Sequence, residues 1–98
     1  MRFHFADKKL HDLYTEERDA HKYPEGVVEA FFDVVGVIAA AEDERDLRRL
    51  KGLHYEKLKG QRSHQRSLRL TRQFRLVVER EEDEKGRLFR IVSIEDYH

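Results

Sequence analysis

The last three residues of the 98-residue chain, Asp96, Tyr97 and His98, set a carboxylate, a phenol and an imidazole side by side. Imidazole titrates near neutrality and serves as general acid or base, while a carboxylate can orient it or take a proton itself. Cleaving RNA without a metal requires three things: activating a 2′-hydroxyl, stabilising charge on a phosphorane, and protonating the leaving oxygen. The triplet offers the proton transfers, and Arg69, Arg75 and Lys59 are candidates for the charge stabilisation. A terminal histidine by itself is more often a frayed surface residue. The triplet therefore acquires meaning only if other groups converge on it.

The stretch Ser67 to Arg75, Ser-Leu-Arg-Leu-Thr-Arg-Gln-Phe-Arg, shows how they would converge. Leucine and arginine alternate as in a half-buried strand, break at Thr71-Arg72-Gln73, and resume as Phe74-Arg75-Leu76-Val77-Val78. A two-residue loop would set Leu70 against Arg75 and Leu68 against Val77, mixing apolar with charged positions. A three-residue loop sets Leu70 against Phe74, Arg69 against Arg75 and Leu68 against Leu76, and register follows the buried face. The price is two arginines facing one another, which is destabilising unless an anion sits between them.

Zero net charge conceals a segregation. Residues 45 to 75 hold eleven Lys or Arg against Asp46 and Glu56, a local +9 that the rest of the chain balances with −9. Such a zone is the footprint of a polyanion partner, whereas a solvated surface usually intersperses its signs. Lys57, Lys59, Arg62, Arg66, Arg69, Arg72 and Gln73 are accordingly expected to contact RNA.

Other chemistries lack support. The chain has no cysteine, so it has neither disulfides nor thiolate ligands. Its six histidines include no pair at helical zinc spacing, and no metal or other cofactor is expected. It contains no glycine-rich phosphate loop and no Gly-x-Ser-x-Gly elbow. Neither a membrane span nor a signal peptide is evident, so a cytoplasmic protein without membrane contact is expected.

The elements that must position these residues follow from periodicity. Met1 to Phe5 alternates as a first strand. Asp7 caps a brief helix reaching about Glu17, with Leu10, Leu13 and Tyr14 on one side. The principal helix is expected from Pro24, as first helical residue, to about Ala41, with Val27, Phe31, Val34, Val35 and Ile38 on its buried stripe. Glu42 to Arg49 suits a short helix, acidic at its start and basic at its end. After a basic segment broken by Gly52 and Gly60 come the hairpin, an acidic turn from Glu81 to Gly86, and a last strand from Leu88 to about Glu95. No repeat or linker divides the chain, and one domain spanning residues 1–98 is expected.

Taken in order, Leu58-Lys59-Gly60-x-Arg62, Ser67-Leu68-Arg69-Leu70, Gln73-Phe74-Arg75-Leu76 and the closing Asp96-Tyr97-His98 resemble the HigB toxins of the RelE superfamily. The Tyr23-Pro24 helix and Asp46-Leu47-Arg48 fit the same pattern, so the likeness covers nearly the whole chain. It implies an α+β fold with two N-terminal helices packed on a small, mainly antiparallel sheet. It implies the toxin of a type II toxin–antitoxin system: a ribosome-dependent endoribonuclease that cuts translated mRNA in the A site by metal-independent 2′-hydroxyl attack. The partners would be the ribosome, mRNA and a HigA-like helix-turn-helix antitoxin, with DNA reached only through the antitoxin.

Position by position, Asp96, Tyr97 and His98 match the family's closing catalytic group and Arg75 its phosphate stabiliser. Lys59 matches the lysine before glycine, and Gln73 falls where Asn or Gln is usual. Some members place a catalytic histidine where this chain has Glu56, with His54 two residues earlier. Either Glu56 substitutes, or the loop brings His54 inward, or neither takes part. Glycine is also frequent in members between Arg62 and Ser67, where this chain reads Ser63-His64-Gln65-Arg66, and Thr71-Arg72 replaces a common Asn-containing turn. Two alternatives remain: an RNA-binding module without catalysis, or an inactive homologue that retains only antitoxin binding.

Overall fold

A computed structural model describes residues 1–97 of the chain. His98, the last of the expected catalytic triplet, lies outside the described residues. The elements are β1 (Arg2–Phe5), α1 (Lys8–Glu16), α2 (Val27–Ala40), α3 (Glu44–Arg49), β2 (Glu56–Lys57), β3 (Gln65–Arg69), β4 (Phe74–Asp83) and β5 (Gly86–Asp96). Single turns of 3-10 helix at Ala20–Lys22, Lys51–Leu53 and Gly60–Arg62 join them. The sheet order is β1-β5-β4-β3-β2, with β1 parallel to β5 and every other pair antiparallel. This is the expected mixed fold of helices on a mainly antiparallel sheet.

The Asp7 carboxylate accepts from the Leu10 N–H at 3.1 Å and so caps α1, satisfying one of the donors a helix start leaves open. The α2 stripe is buried as its period requires, Val27 included, and Phe31, Val34, Val35 and Ile38 share one core with Leu68, Leu76, Val78, Phe89 and Ile91 of the sheet. Fully burying side chains of this size contributes roughly 1.5–3 kcal/mol each. The helix does not begin at Pro24, however. Gly26 has φ 84°, a left-handed conformation through which an α-helix cannot run, so α2 starts at Val27 and Pro24 opens the turn before it, its carbonyl accepting from the Val27 N–H at 3.1 Å. β5 also starts earlier than expected, at Gly86, whose φ of 110° suits the tight Glu84-Lys85 turn.

The hairpin register is the one the leucines dictated: Leu68 pairs with Leu76 and Arg69 with Arg75, and Leu70 donates to the Phe74 carbonyl at 2.9 Å. Thr71 Oγ1 accepts from the N–H groups of Gln73 and Phe74 at 3.3 and 3.1 Å, fixing the three-residue loop. Since side chains alternate, Leu68, Leu76 and Ile94 face the helices. Ser67, Arg69, Arg75, Val77, Ser93 and Glu95 line the opposite face. A bulge beside Val77/Val78 shifts the pairing of β4 with β5 by one residue. It lets Ile91 and Ile94, three positions apart, both pack against the core. Among the described residues, no helix is long and apolar enough to cross a membrane.

Candidate functional site

The end of the sheet where β3 and β4 turn carries a cavity of about 230 Å³, lined by His54, Glu56, Ser67, Arg69, Thr71, Arg72, Phe74, Arg75 and Tyr97. Each arrives for a local reason. The cross-strand pairing of β3 with β4 puts the guanidinium-bearing positions 69 and 75 side by side. The two-residue strand β2 pairs Glu56 with Ser67, which turns the Glu56 position to the same face. His54 ends the Lys51–Leu53 turn at φ 47°, a left-handed conformation costly for a side chain with a Cβ, and this bend directs the chain into β2.

Arg69 and Arg75 are handled differently. Arg69 is exposed; its Nη1 donates to His54 Nε2 at 3.4 Å and its Nε to the Thr71 carbonyl at 3.3 Å. A guanidinium only donates, so this contact requires a neutral His54 ring with Nε2 unprotonated and the proton on Nδ1. Arg75 is only 19% exposed and sits opposite Glu95 on β5, its Nη2 3.8 Å from Glu95 Oε1. Its guanidinium also lies 4.8 Å from the centre of the Tyr97 ring, a cation–π contact. Its Nε is buried and has no hydrogen-bond partner among the described residues. The like-charge pair is therefore answered on one side by Glu95, and the cavity side is left to His54, Glu56 and the opening.

Asp96 and Tyr97 are held by the hairpin loop. The Gln73 carbonyl accepts from the Tyr97 N–H, and the Gln73 side-chain amide donates to Asp96 Oδ2 at 3.2 Å. Gln73, expected to touch RNA, is thus in this structure the residue that seats Asp96 and Tyr97 beside Arg75. Asp96 pairs with Phe74 across the strands and is exposed at the rim.

The remaining basic positions separate into two groups. Lys57 pairs with Arg66 on the sheet edge, and alternation sends both away from the cavity; Lys59 is exposed. Arg66 is buried, its Nη1 donating to the carbonyls of Ser63 and Gln65, so it lies within the body and not on a polyanion-facing surface. Arg62 is held bidentately by Glu95, with Nη1 to Oε1 at 2.8 Å and Nη2 to Oε2 at 2.7 Å. This fork, then burial working against it, then the Ser93 hydroxyl at 2.6 Å, hold the Glu95 carboxyl below the usual glutamate range. Ser67, Thr71 and Phe74 line the cavity without having been singled out. Strand alternation placed Ser67 on the Arg69 face, and that was the available signal. Among the described residues no group of three His, Asp or Glu side chains is arranged to hold a metal ion.

Residues 3–92 match the family model described as "RelE-like toxin of type II toxin-antitoxin system HigB". The chain is 30% identical over 79 residues to Toxin HigB-1 of Vibrio cholerae, covering 81% of this chain and 83% of that one. Its fold aligns over the full length of both chains with the YoeB/ParE toxin from Agrobacterium tumefaciens, at a TM-score of 0.58 and 18% identity. A toxin–antitoxin complex, RelBE2 from Mycobacterium tuberculosis, aligns at a TM-score of 0.48 and 18% identity, over 98% of this chain and 96% of that chain.

Proposed function

Because the chain belongs to the RelE-like toxins of HigB type II toxin–antitoxin systems, we propose that it is a ribosome-dependent endoribonuclease whose reaction takes place in the cavity at the β3–β4 turn. The observation carrying this reading is the convergence of two arginines, a histidine, a glutamate and a tyrosine on one small opening. In the reaction a base removes the proton of a ribose 2′-hydroxyl, whose oxygen forms a bond to the adjacent phosphorus. The bond from phosphorus to the 5′-oxygen breaks, and an acid protonates that oxygen, leaving a 2′,3′-cyclic phosphate. Arg75 and Arg69 stabilise the dianionic phosphorane, the role in which preorganised donors contribute most. His54, once its Nε2 turns from Arg69 to the 2′-hydroxyl, or Glu56, serves as base. Tyr97, stacked on Arg75, and Asp96 lie away from His54 and serve the leaving oxygen; His98 is assigned to the same role by family likeness alone.

Cytosolic mRNA passing through the ribosomal A site supplies the substrate, and Lys59 and Arg72 make backbone contacts to RNA around the cavity. A HigA-like helix-turn-helix antitoxin neutralises the protein. The test compares one mRNA, naked and under translation, in the presence of the purified protein. New 5′-hydroxyl ends with upstream 2′,3′-cyclic phosphates, formed only during translation, are expected. Salt-sensitive RNA binding with no new ends in either condition would instead mark a binding module. The proximity of Glu95 to Arg75 favours one runner-up, an inactive homologue that keeps antitoxin binding. Unimpaired growth on induction, with an antitoxin still co-purifying, would establish it.

A further inference from the structure

Arg62 does not line the cavity, yet it makes a bidentate ion pair on that face of the sheet, and its partner is the carboxylate beside Arg75. Glu95 Oε1 is shared unequally: 2.8 Å from Arg62 Nη1 and 3.8 Å from Arg75 Nη2. Arg62 is itself braced, its Nε donating at 2.8 Å to the Gln65 side-chain carbonyl, while the Gln65 amide donates to Glu79 at 2.9 Å. Gln65 is buried and Glu79 is further tied to Arg90 at 3.0 Å, so the brace reaches across the sheet. The Ser93 hydroxyl holds the other carboxylate oxygen at 2.6 Å. A shift of roughly 1 Å would bring Glu95 and Arg75 to ordinary charge-assisted hydrogen-bond distance. The structure holds them short of it.

From this geometry we infer that Arg62 is a positioning residue that withholds Glu95 from Arg75, so that the Arg75 guanidinium stays available to an anionic phosphodiester in the cavity. Glu95 is a built-in competitor for the same cation. It keeps Arg75 aimed and partly neutralised when the cavity is empty, and the Arg62 fork prevents it from closing. Removing Arg62 frees Glu95 to pair fully with Arg75, and anion binding weakens although Arg62 itself touches no anion. Removing the charge of Glu95 relieves the competition, and in its absence Arg62 becomes dispensable. The inference rests on the cavity as the phosphate site proposed above, but it concerns binding and not cleavage.

Binding of a 2′-O-methyl RNA trinucleotide, which lacks the attacking hydroxyl, separates the two. It is measured with the wild type, Arg62→Ala, Glu95→Gln and the double variant, following the Arg75 Nε–H signal by NMR. Arg62→Ala is expected to weaken binding up to about fivefold, the range of a partly exposed charge pair. Glu95→Gln is expected to tighten it by a similar factor, and the double variant to bind as tightly as Glu95→Gln. Both shifts should shrink at high salt. Weaker binding by the double variant than by Glu95→Gln would show that Arg62 contacts the RNA or merely holds the fold, and it overturns the inference. So does weaker binding by Glu95→Gln, or absence of binding by all four proteins. Urea unfolding of each protein identifies a variant that has simply lost its fold; if one has, Arg62→Gln and Glu95→Ser replace the pair under the same criteria. Rescue without mRNA cleavage by the wild type would leave the inference standing and remove the proposed activity, whereas cleavage without rescue would do the reverse.

Discussion

Two glutamates on opposite faces of the sheet each gather arginines, and they have been put to different ends. Glu44, at the start of α3, is 8% exposed and sits among Arg80 and Arg87, each 3.3 Å away, Arg48 at 3.8 Å and the Tyr55 hydroxyl at 2.9 Å. Its partners come from α3, β4, β5 and the loop before β2, so this cluster ties the loop that carries His54 and Glu56 to the sheet. Glu95, on the other face, has two arginines and a serine, is 27% exposed, and leaves one arginine unevenly satisfied beside a cavity. The same chemistry is completed in one place and left incomplete in the other. A buried charge with all its partners serves the fold; a cation with a spare donor and an opening in front of it is available for work.

The comparison can be broken or sharpened by substitution. The largest effect is expected from Arg75→Ala: a loss of cleavage on the order of 10²–10³, as for removal of one preorganised donor from a developing oxyanion. Stability in urea should change by under about 1 kcal/mol, since the Glu95 that loses Arg75 keeps Arg62. Glu44→Ala should do the opposite. Three arginines and a phenol lose their acceptor, costing about 2–3 kcal/mol in urea unfolding, while the fraction that remains folded still cleaves within a few-fold of the wild type. Equal damage to activity and stability in both variants would erase the distinction.

Tyr55→Phe is the milder probe of the inner cluster, with an expected cost of about 1 kcal/mol near neutral pH. Burial and then the hydrogen bond to Glu44 push the Tyr55 phenol above its ordinary range. A phenol whose folded value is raised contributes its full stability below its unfolded value, about pH 10, and loses it above, as the unfolded chain ionises first. The wild type should therefore lose stability more steeply than Tyr55→Phe above pH 10 in alkaline urea titrations. Parallel curves would mean that the phenol is not held in this way.

How much of this was legible in the chain depends on whether a pattern is local. The Arg69–Arg75 pairing and the α2 stripe are written in adjacent residues, through alternation and a 3.6-residue period, and the structure follows both. The start of α2 was not legible from Pro24, because the left-handed Gly26 overrides the preference of proline for a first helical position. Strand β2 has only Glu56 and Lys57, too few to show a period, and exists because β3 offers an edge to pair with. Glu95 was beyond reach for another reason. Counting inward and outward positions along β5 from Phe89 assigns the wrong face after Val92, since the bulge adds a residue that only the pairing with β4 reveals. The Arg62–Glu95 fork, joining positions 33 residues apart, has no local signature.

The central claim is that the outer glutamate–arginine cluster borders the working site and the inner one does not. It is tested most directly by mapping mRNA 5′ ends in a translating extract with wild-type protein, Arg75→Ala and Arg87→Ala side by side. New ends at matching positions with the wild type and Arg87→Ala, and none above background with Arg75→Ala, are predicted. Ends produced equally by Arg75→Ala, or lost with Arg87→Ala in a protein that remains folded, would contradict it.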